Sequence, residues 1–137
     1  VIDASVASRF LLIEELSDKA GLVLEGFLKE TIDLVAPKII IYEVGNTLWK
    51  AVRGGWINMD EAVHKFLYFL DLRIGSIDLD REGYKETLVW CIENDGTYYD
   101  SAYIMVAKIS GATLLTADNT LYEKARREIP TLHLKDY

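Results

Sequence analysis

A chain of 137 residues, half of them hydrophobic and 27% charged, with two prolines and no low-complexity tract, has the make-up of an ordinary globular domain. Its net charge of −7 excludes broad adhesion to nucleic acid through a basic surface, and favours an acidic enzyme or a domain that meets a basic partner. The lone Cys91 excludes an internal disulfide framework and a Cys-x-x-Cys zinc site, and no apolar run is long enough to span a membrane.

A single domain over residues 1–137, in the cytoplasm and without membrane contact, is the expectation. Because Val1 lies directly in an apolar stretch without a Met, a few residues are expected to precede it. "VIDAS" reads as the end of a buried strand, followed by a helix from about Val6 to Leu16. Ser17 is a candidate N-cap for "SDKAGLVLEGFLKET", apolar at helical spacing through Leu22, Phe27 and Leu28. "IDLVAP" is a short β-type run ended by Pro37. "KIIIYEVGNTLWKAVRGG" reads as a helix closed by Gly54 and Gly55, although the β-branched Ile39 to Ile41 leave a strand open.

"NMDEAVHKFLYFLDLR" has an Asn cap and an acidic first turn. "GSIDLD" is a strand, and "DREGYKETLVWCIEND" a helix in which Cys91 is expected to be buried. After a helix opened by Asp100 come the strand "ATLLTA", the short helix "TLYEKARRE" and the strand "TLHL". Strands alternating with helices imply a mostly parallel sheet covered by helices on both faces.

In such sheets ligands gather at the carboxyl ends of the strands. That rule sorts the 22 acidic residues. Asp3 follows the first strand and Asp118 follows "TLLTA"; Glu43 lies near the start of the helix after "IDLVAP", and Asp100 opens the helix before the last inner strand. Each has an ordinary structural explanation, as an N-cap, a turn former or a helix carboxylate near an end. Brought together, two carboxylates 4 Å apart repel by about 4 kcal/mol at an effective dielectric near 20. Such a cluster persists only by protonation or by binding cations, for which hard divalent ions are the natural choice. Two ions so held can bind a phosphodiester, activate water and stabilise the leaving oxygen. Ser5, Asn46, Thr97 and Thr116 are small polar neighbours that could orient the carboxylates, Asn46 sharing a helix face with Glu43.

With these fragments in order ("VIDASV", "PKIIIYEVGNTLWKA" with its Glu-x-x-Asn, "TYYDSAYIMVAK" and "LLTADNTLYEKA"), the chain resembles over nearly its whole length the PIN-domain nucleases. In size and layout it is similar to the VapC-type toxins of toxin–antitoxin pairs. The resemblance implies a three-layer α/β/α domain around a central, mostly parallel sheet of about five strands. It implies that Asp3, Glu43, Asp100 and Asp118 form an acidic quartet binding Mg²⁺ or Mn²⁺, supported by Ser5, Asn46 and Thr116. The implied activity is metal-dependent endonucleolytic cleavage of RNA by activated water, with no covalent enzyme intermediate. It also implies a cognate antitoxin that wraps the protein and places a basic side chain at the acidic site, and a homodimer.

Lys50 and Arg53 on one helix face, and Lys124 on the last helix, are candidates for phosphate contact. Trp49 reads as core and Trp56, after two glycines, as exposed; either could stack on a base. His64 and His133 lack partners at ligand spacing and read as structural. Phe66, Tyr68 and Phe69 exceed what one helix face needs and suit an interface with a dimer mate or an antitoxin. A haloacid-dehalogenase-type phosphatase would need a second Asp where Ser5 stands, and a receiver domain would need a Lys after a late strand, which "LLTADN" lacks. A non-catalytic binding or scaffold module for RNA or a protein is the remaining rival.

Overall fold

A computed structural model describes residues 1–137, and its sheet is organised around the first three of them. Ile2 bridges Leu115 in parallel. The Ile2 amide donates to the Val35 carbonyl at 3.1 Å, and the Leu115 amide donates to the Val1 carbonyl at 2.8 Å. The segment therefore lies between two parallel pairs: β1 (Val35–Ala36) with β2 (Gly75–Ser76), and β3 (Leu114–Thr116) with β4 (Thr131–His133). Four short strands and this central bridge make up the expected sheet of about five. Gly75 sits where a Cβ would come within 2.9 Å of the Val35 side chain, so the β1–β2 approach leaves no room for a side chain there.

Around the sheet run α1 (Ala4–Ser8), α2 (Ser17–Leu28), α3 (Ile39–Arg53), α4 (Met59–Asp71), α5 (Arg81–Asn94), α6 (Tyr98–Ser110) and α7 (Asn119–Ala125), in an α/β/α arrangement. No helix is long and apolar enough to cross a membrane. In α3, Ile40, Val44, Leu48 and Ala51 are buried at helical spacing, which settles the helix against the strand left open for this stretch. Burying each of its three large members is worth roughly 1.5–3 kcal/mol. The helix ends where Gly55 takes φ +77°, a conformation open to glycine at little cost. Asn58 caps α4 as expected, and Glu61 in the acidic first turn completes a capping box. In α6, every residue from Ser101 to Ala107 is buried. The core takes in residues from Val1 through to Leu134.

The helix expected over Val6–Leu16 stops at Ser8. There the chain tightens into turns, with the Phe10 amide on Ala7 and the Leu11 amide on Ser8. Arg9 pins the turn: Nη1 donates to the Ser5 carbonyl and Nε to the Glu15 carbonyl, both at 2.6 Å. Ser17 is not the cap of α2 either. Leu16, at φ +67°, holds that position, while Ser17 Oγ accepts from the Glu14 amide and donates to the Leu12 carbonyl. The strand expected over "GSIDLD" is reduced to Gly75–Ser76.

Trp49, expected in the core, is 53% exposed, since the stripe of α3 that buries Leu48 turns its neighbour outward. Cys91 is half-buried, its thiol donating to the Gly96 carbonyl at 3.0 Å. Phe69 is buried and Phe66 packs against the core, which leaves Tyr68 as the exposed member of that aromatic set. Trp56 is exposed as expected.

Candidate active site

Asp3 ends the central segment at the edge where α1 begins. Its Oδ1 accepts from the Val6 amide at 3.1 Å and from Ser5 Oγ at 2.6 Å, and its Oδ2 accepts from Thr116 Oγ1 at 2.5 Å. Ser5 Oγ in turn accepts from the Ala117 amide at 2.8 Å, and Thr116 Oγ1 from the Asp118 amide at 2.9 Å. The two hydroxyls thereby lock the start of α1 to the turn between β3 and α7. Asp3 is only 4% exposed. Burial pushes its carboxyl up to about 6, against the pull of Ser5, Thr116 and Val6, and the charge of Asp118 adds to the rise.

Asp118 caps α7, its Oδ1 accepting from the Leu121 amide at 2.8 Å. Glu43 stands one turn into α3 and is half-buried, with Oε1 accepting from the Tyr103 hydroxyl at 2.9 Å. Its pKa is raised by burial, held back by Tyr103, and raised again by the charges of Asp100 and Asp3. Asp100 lies in the first turn of α6, one turn past its expected place: Thr97 is the cap, accepting from the Asp100 amide at 3.1 Å. Burial and Asp118 raise the Asp100 pKa, while Thr97 and Lys124 lower it.

The four carboxylates thus form a closed ring of mutual repulsion, Asp3 to Asp118 to Asp100 to Glu43 and back to Asp3. All four belong to different segments. None of the protein's ion pairs involves any of them; these join Arg9 to Glu14, Lys29 to Glu25, Lys38 to Asp78, Lys85 to Glu82 and Arg126 to Glu123. No three of the chain's Asp, Glu, His and Cys side chains stand close enough together to hold one metal ion in this arrangement. What the four carboxylates share is a negative field offset only by Lys124 near Asp100, and oxygen donors alone, a set whose chemistry fits a hard divalent cation.

Two open grooves have lining residues on the elements that carry the carboxylates. One, of about 650 Å³, runs between α1 and α3 past Ser5, Glu43, Asn46 and Lys50. The other, of about 480 Å³, is lined by Asn94, Asn119, Thr120, Glu123, Lys124 and Arg127. Asn46 lines the first groove beside Glu43. Arg53 lies away from both, its guanidinium 5.0 Å from the Trp49 ring centroid. Lys124 Nζ donates to the Asp95 carbonyl at 2.5 Å, tying α7 to the α5–α6 turn. His64 is exposed on α4; His133 Nδ1 accepts from the Lys135 amide, and its ring packs edge-on against Tyr122.

Sequence reading passed over Tyr103, whose hydroxyl lies amid the carboxylates. Burial and the neighbouring Glu43 charge push that phenol's pKa far up, so it remains a donor. Its signal was the three-residue step from Asp100, which puts both on one face of α6. Arg9, Tyr42 and Tyr99, which line the first groove, were also passed over.

The PIN domain family model matches residues 1–127. The chain is 34% identical over 129 residues to Ribonuclease VapC3 of Pyrobaculum aerophilum, covering 90% of this chain and 92% of that one. It is 33% identical over 94 residues to Exonuclease VapC9 of the same organism, 66% of each chain. The crystal structure of PAE2754 from Pyrobaculum aerophilum superposes with a TM-score of 0.72 at 24% identity, over 98% of this chain and 89% of that one.

Proposed function

The chain belongs to the PIN-domain family, and from that premise we propose that it is a divalent-metal-dependent endoribonuclease, the toxin of a toxin–antitoxin pair acting in the cytoplasm. The observation that carries this reading is the ring of four carboxylates, brought from four segments to one edge and left without a single ion-pair partner. Asp3, Glu43, Asp100 and Asp118 would hold Mg²⁺ or Mn²⁺. When bound, such an ion offsets the carboxylate charge, acidifies water for attack on a phosphodiester and stabilises the leaving oxygen.

The chain's own groups do the positioning. Ser5, Thr116 and the Val6 amide fix both oxygens of Asp3. The Leu121 amide holds Oδ1 of Asp118 and leaves Oδ2 unbonded by the protein; Tyr103 does the same for Glu43, holding Oε1. Rigid placement of this kind is what makes an acidic cluster usable for in-line displacement. Lys50 makes no ion pair and stands in the first groove beside Glu43, where it can meet a backbone phosphate, and Lys124 and Arg127 line the second groove.

The first groove is open where it passes Glu43, which favours a strand that passes through, hence internal cuts, over a walled pocket that would stop at a chain end. The partners are an RNA strand, an antitoxin protein and a second copy of the chain. The deciding experiment incubates the purified protein with a mixed RNA pool and Mg²⁺ or Mn²⁺, alongside EDTA and an Asp118→Ala variant. Internal fragments that vanish in both controls support the reading. Cleavage that persists in EDTA overturns the metal assignment, and an inert protein at high Mn²⁺ points to a binding module.

A further inference from the structure

Two exposed tyrosines are left over once the carboxylates and their supports are accounted for. Tyr42, on α3, is 75% exposed, and Tyr99, in the first turn of α6, is 58% exposed. They belong to elements far apart in sequence, yet both line the first groove together with Glu43. Neither ring packs against another aromatic ring, and neither hydroxyl makes a hydrogen bond, so the core does not account for them. On α3, Tyr42, Asn46 and Lys50 follow at four-residue spacing and make one outward stripe. Arg9 also lines the groove, but its guanidinium is already held by two backbone carbonyls and Glu14. Lys50 is the cation left free there. An aromatic face, an amide able to read a base edge and a free ammonium in one row are the elements of a nucleotide subsite, beside carboxylates suited to the phosphodiester.

We propose that Tyr42 and Tyr99 form a base-stacking slot for one unpaired nucleotide next to the cut bond, with Asn46 at its edge and Lys50 on its phosphate. This rests on the ribonuclease reading and adds to it how the strand is positioned. The occupant is a nucleic acid strand rather than a protein segment because the groove contains Glu43 and seven of its eleven lining residues are polar or charged. A base paired within a duplex cannot enter such a slot without leaving its stack.

The test is a set of RNA oligonucleotides carrying one abasic position, scanned across the cut site, with KM and kcat read separately for wild type, Tyr42→Ala, Tyr99→Ala and the corresponding Phe variants. Stacking of one base gives about a 10-fold effect on KM. At one abasic position wild type should show that loss. The Ala variants should show it already on the intact RNA, with no further loss at that position, and the Phe variants should behave as wild type. Additive losses, or a KM within about twofold for both Ala variants, overturn the slot; so do Phe variants as impaired as Ala, since the ring would not be the agent.

An RNA with 2-aminopurine at the slot position reads stacking without turnover. If wild type cuts no RNA but quenches the probe in a tyrosine-dependent way, the nuclease reading fails and the slot stands. If neither cutting nor quenching is seen, both fail. Tyrosine variants that bind RNA normally and weaken only a protein complex also overturn the slot.

Discussion

Replacing Asp3 by Asn should make the metal-free protein more stable at pH 8, although it removes a residue placed at the centre of the site. The wild-type carboxyl titrates at about 6 in the fold, against 3.8 when unperturbed. A group that binds its proton more tightly in the folded state costs stability once both states are ionised. That cost amounts to about 2 pK units, or roughly 3 kcal/mol. Asn keeps the acceptor for Ser5 Oγ and the Val6 amide. Its Nδ2 must face Thr116 Oγ1, which now donates to Oδ2 and already accepts from the Asp118 amide. Reversing that bond costs about 1 kcal/mol, leaving a net gain of roughly 2 kcal/mol.

The sign across pH follows from proton counting. Between about pH 4 and 6 the folded wild type holds a proton on Asp3 that the unfolded chain has lost, so wild-type stability falls as pH rises through this window. The advantage of Asp3→Asn should therefore shrink on acidification, vanish near about pH 4.5 and turn into a loss of up to about 1 kcal/mol below that. Urea unfolding of both proteins in EDTA at a series of pH values measures it, and the difference between them cancels the other carboxylates. Millimolar Mg²⁺ or Mn²⁺ should reverse the order, because the ion binds the folded wild type more tightly. A variant less stable than wild type at every pH, by a constant amount, would refute the reasoning: Asp3 would then be a structural acceptor with no burden of charge.

Tyr103→Phe removes the donor to Glu43 Oε1 at little cost in shape. It should lower kcat about 10-fold and move the acid limb of the pH–rate profile upward, because the lost bond favours the ionised Glu43. Thr116→Val keeps the volume but strips hydrogen bonds from Asp3 Oδ2 and the Asp118 amide, so urea unfolding should reveal a loss of about 2–3 kcal/mol, recovered by Thr116→Ser. Lys124→Met frees the Asp95 carbonyl and removes the cation that lowers the Asp100 pKa. Thermal melts should report about 1 kcal/mol of destabilisation, and titration of Asp100 should shift upward.

The fold was legible wherever a repeating apolar pattern met a terminator. The stripe Ile40, Val44, Leu48 with Gly55 beyond it, and the Asn58–Glu61 box, are signals contained within one element. The α1 region was not, because its end is set by the Arg9 side chain reaching the Ser5 and Glu15 carbonyls, and nothing in local propensity announces a tertiary clamp of that kind. Asp3 and Asp118 could be placed at one edge from strand order alone. The hydroxyl lock between Ser5 and Thr116, 111 residues apart, could be guessed in composition but not in connection. Tyr103 was hidden by its company, since a tyrosine in an apolar helix reads as core until its hydroxyl is seen to reach out of it.

The burial of residues 101–107 in the middle of α6 constrains how this molecule can change. That stretch has no side turned to water, so a new residue among 101–107 must be accommodated by close-packed neighbours on every side. Natural variation in what the protein cuts should therefore collect on the outer faces of α3 and α7, where a side chain can be swapped without disturbing the interior. The interior helix, carrying Asp100 and Tyr103, acts as the fixed datum against which such drift is measured.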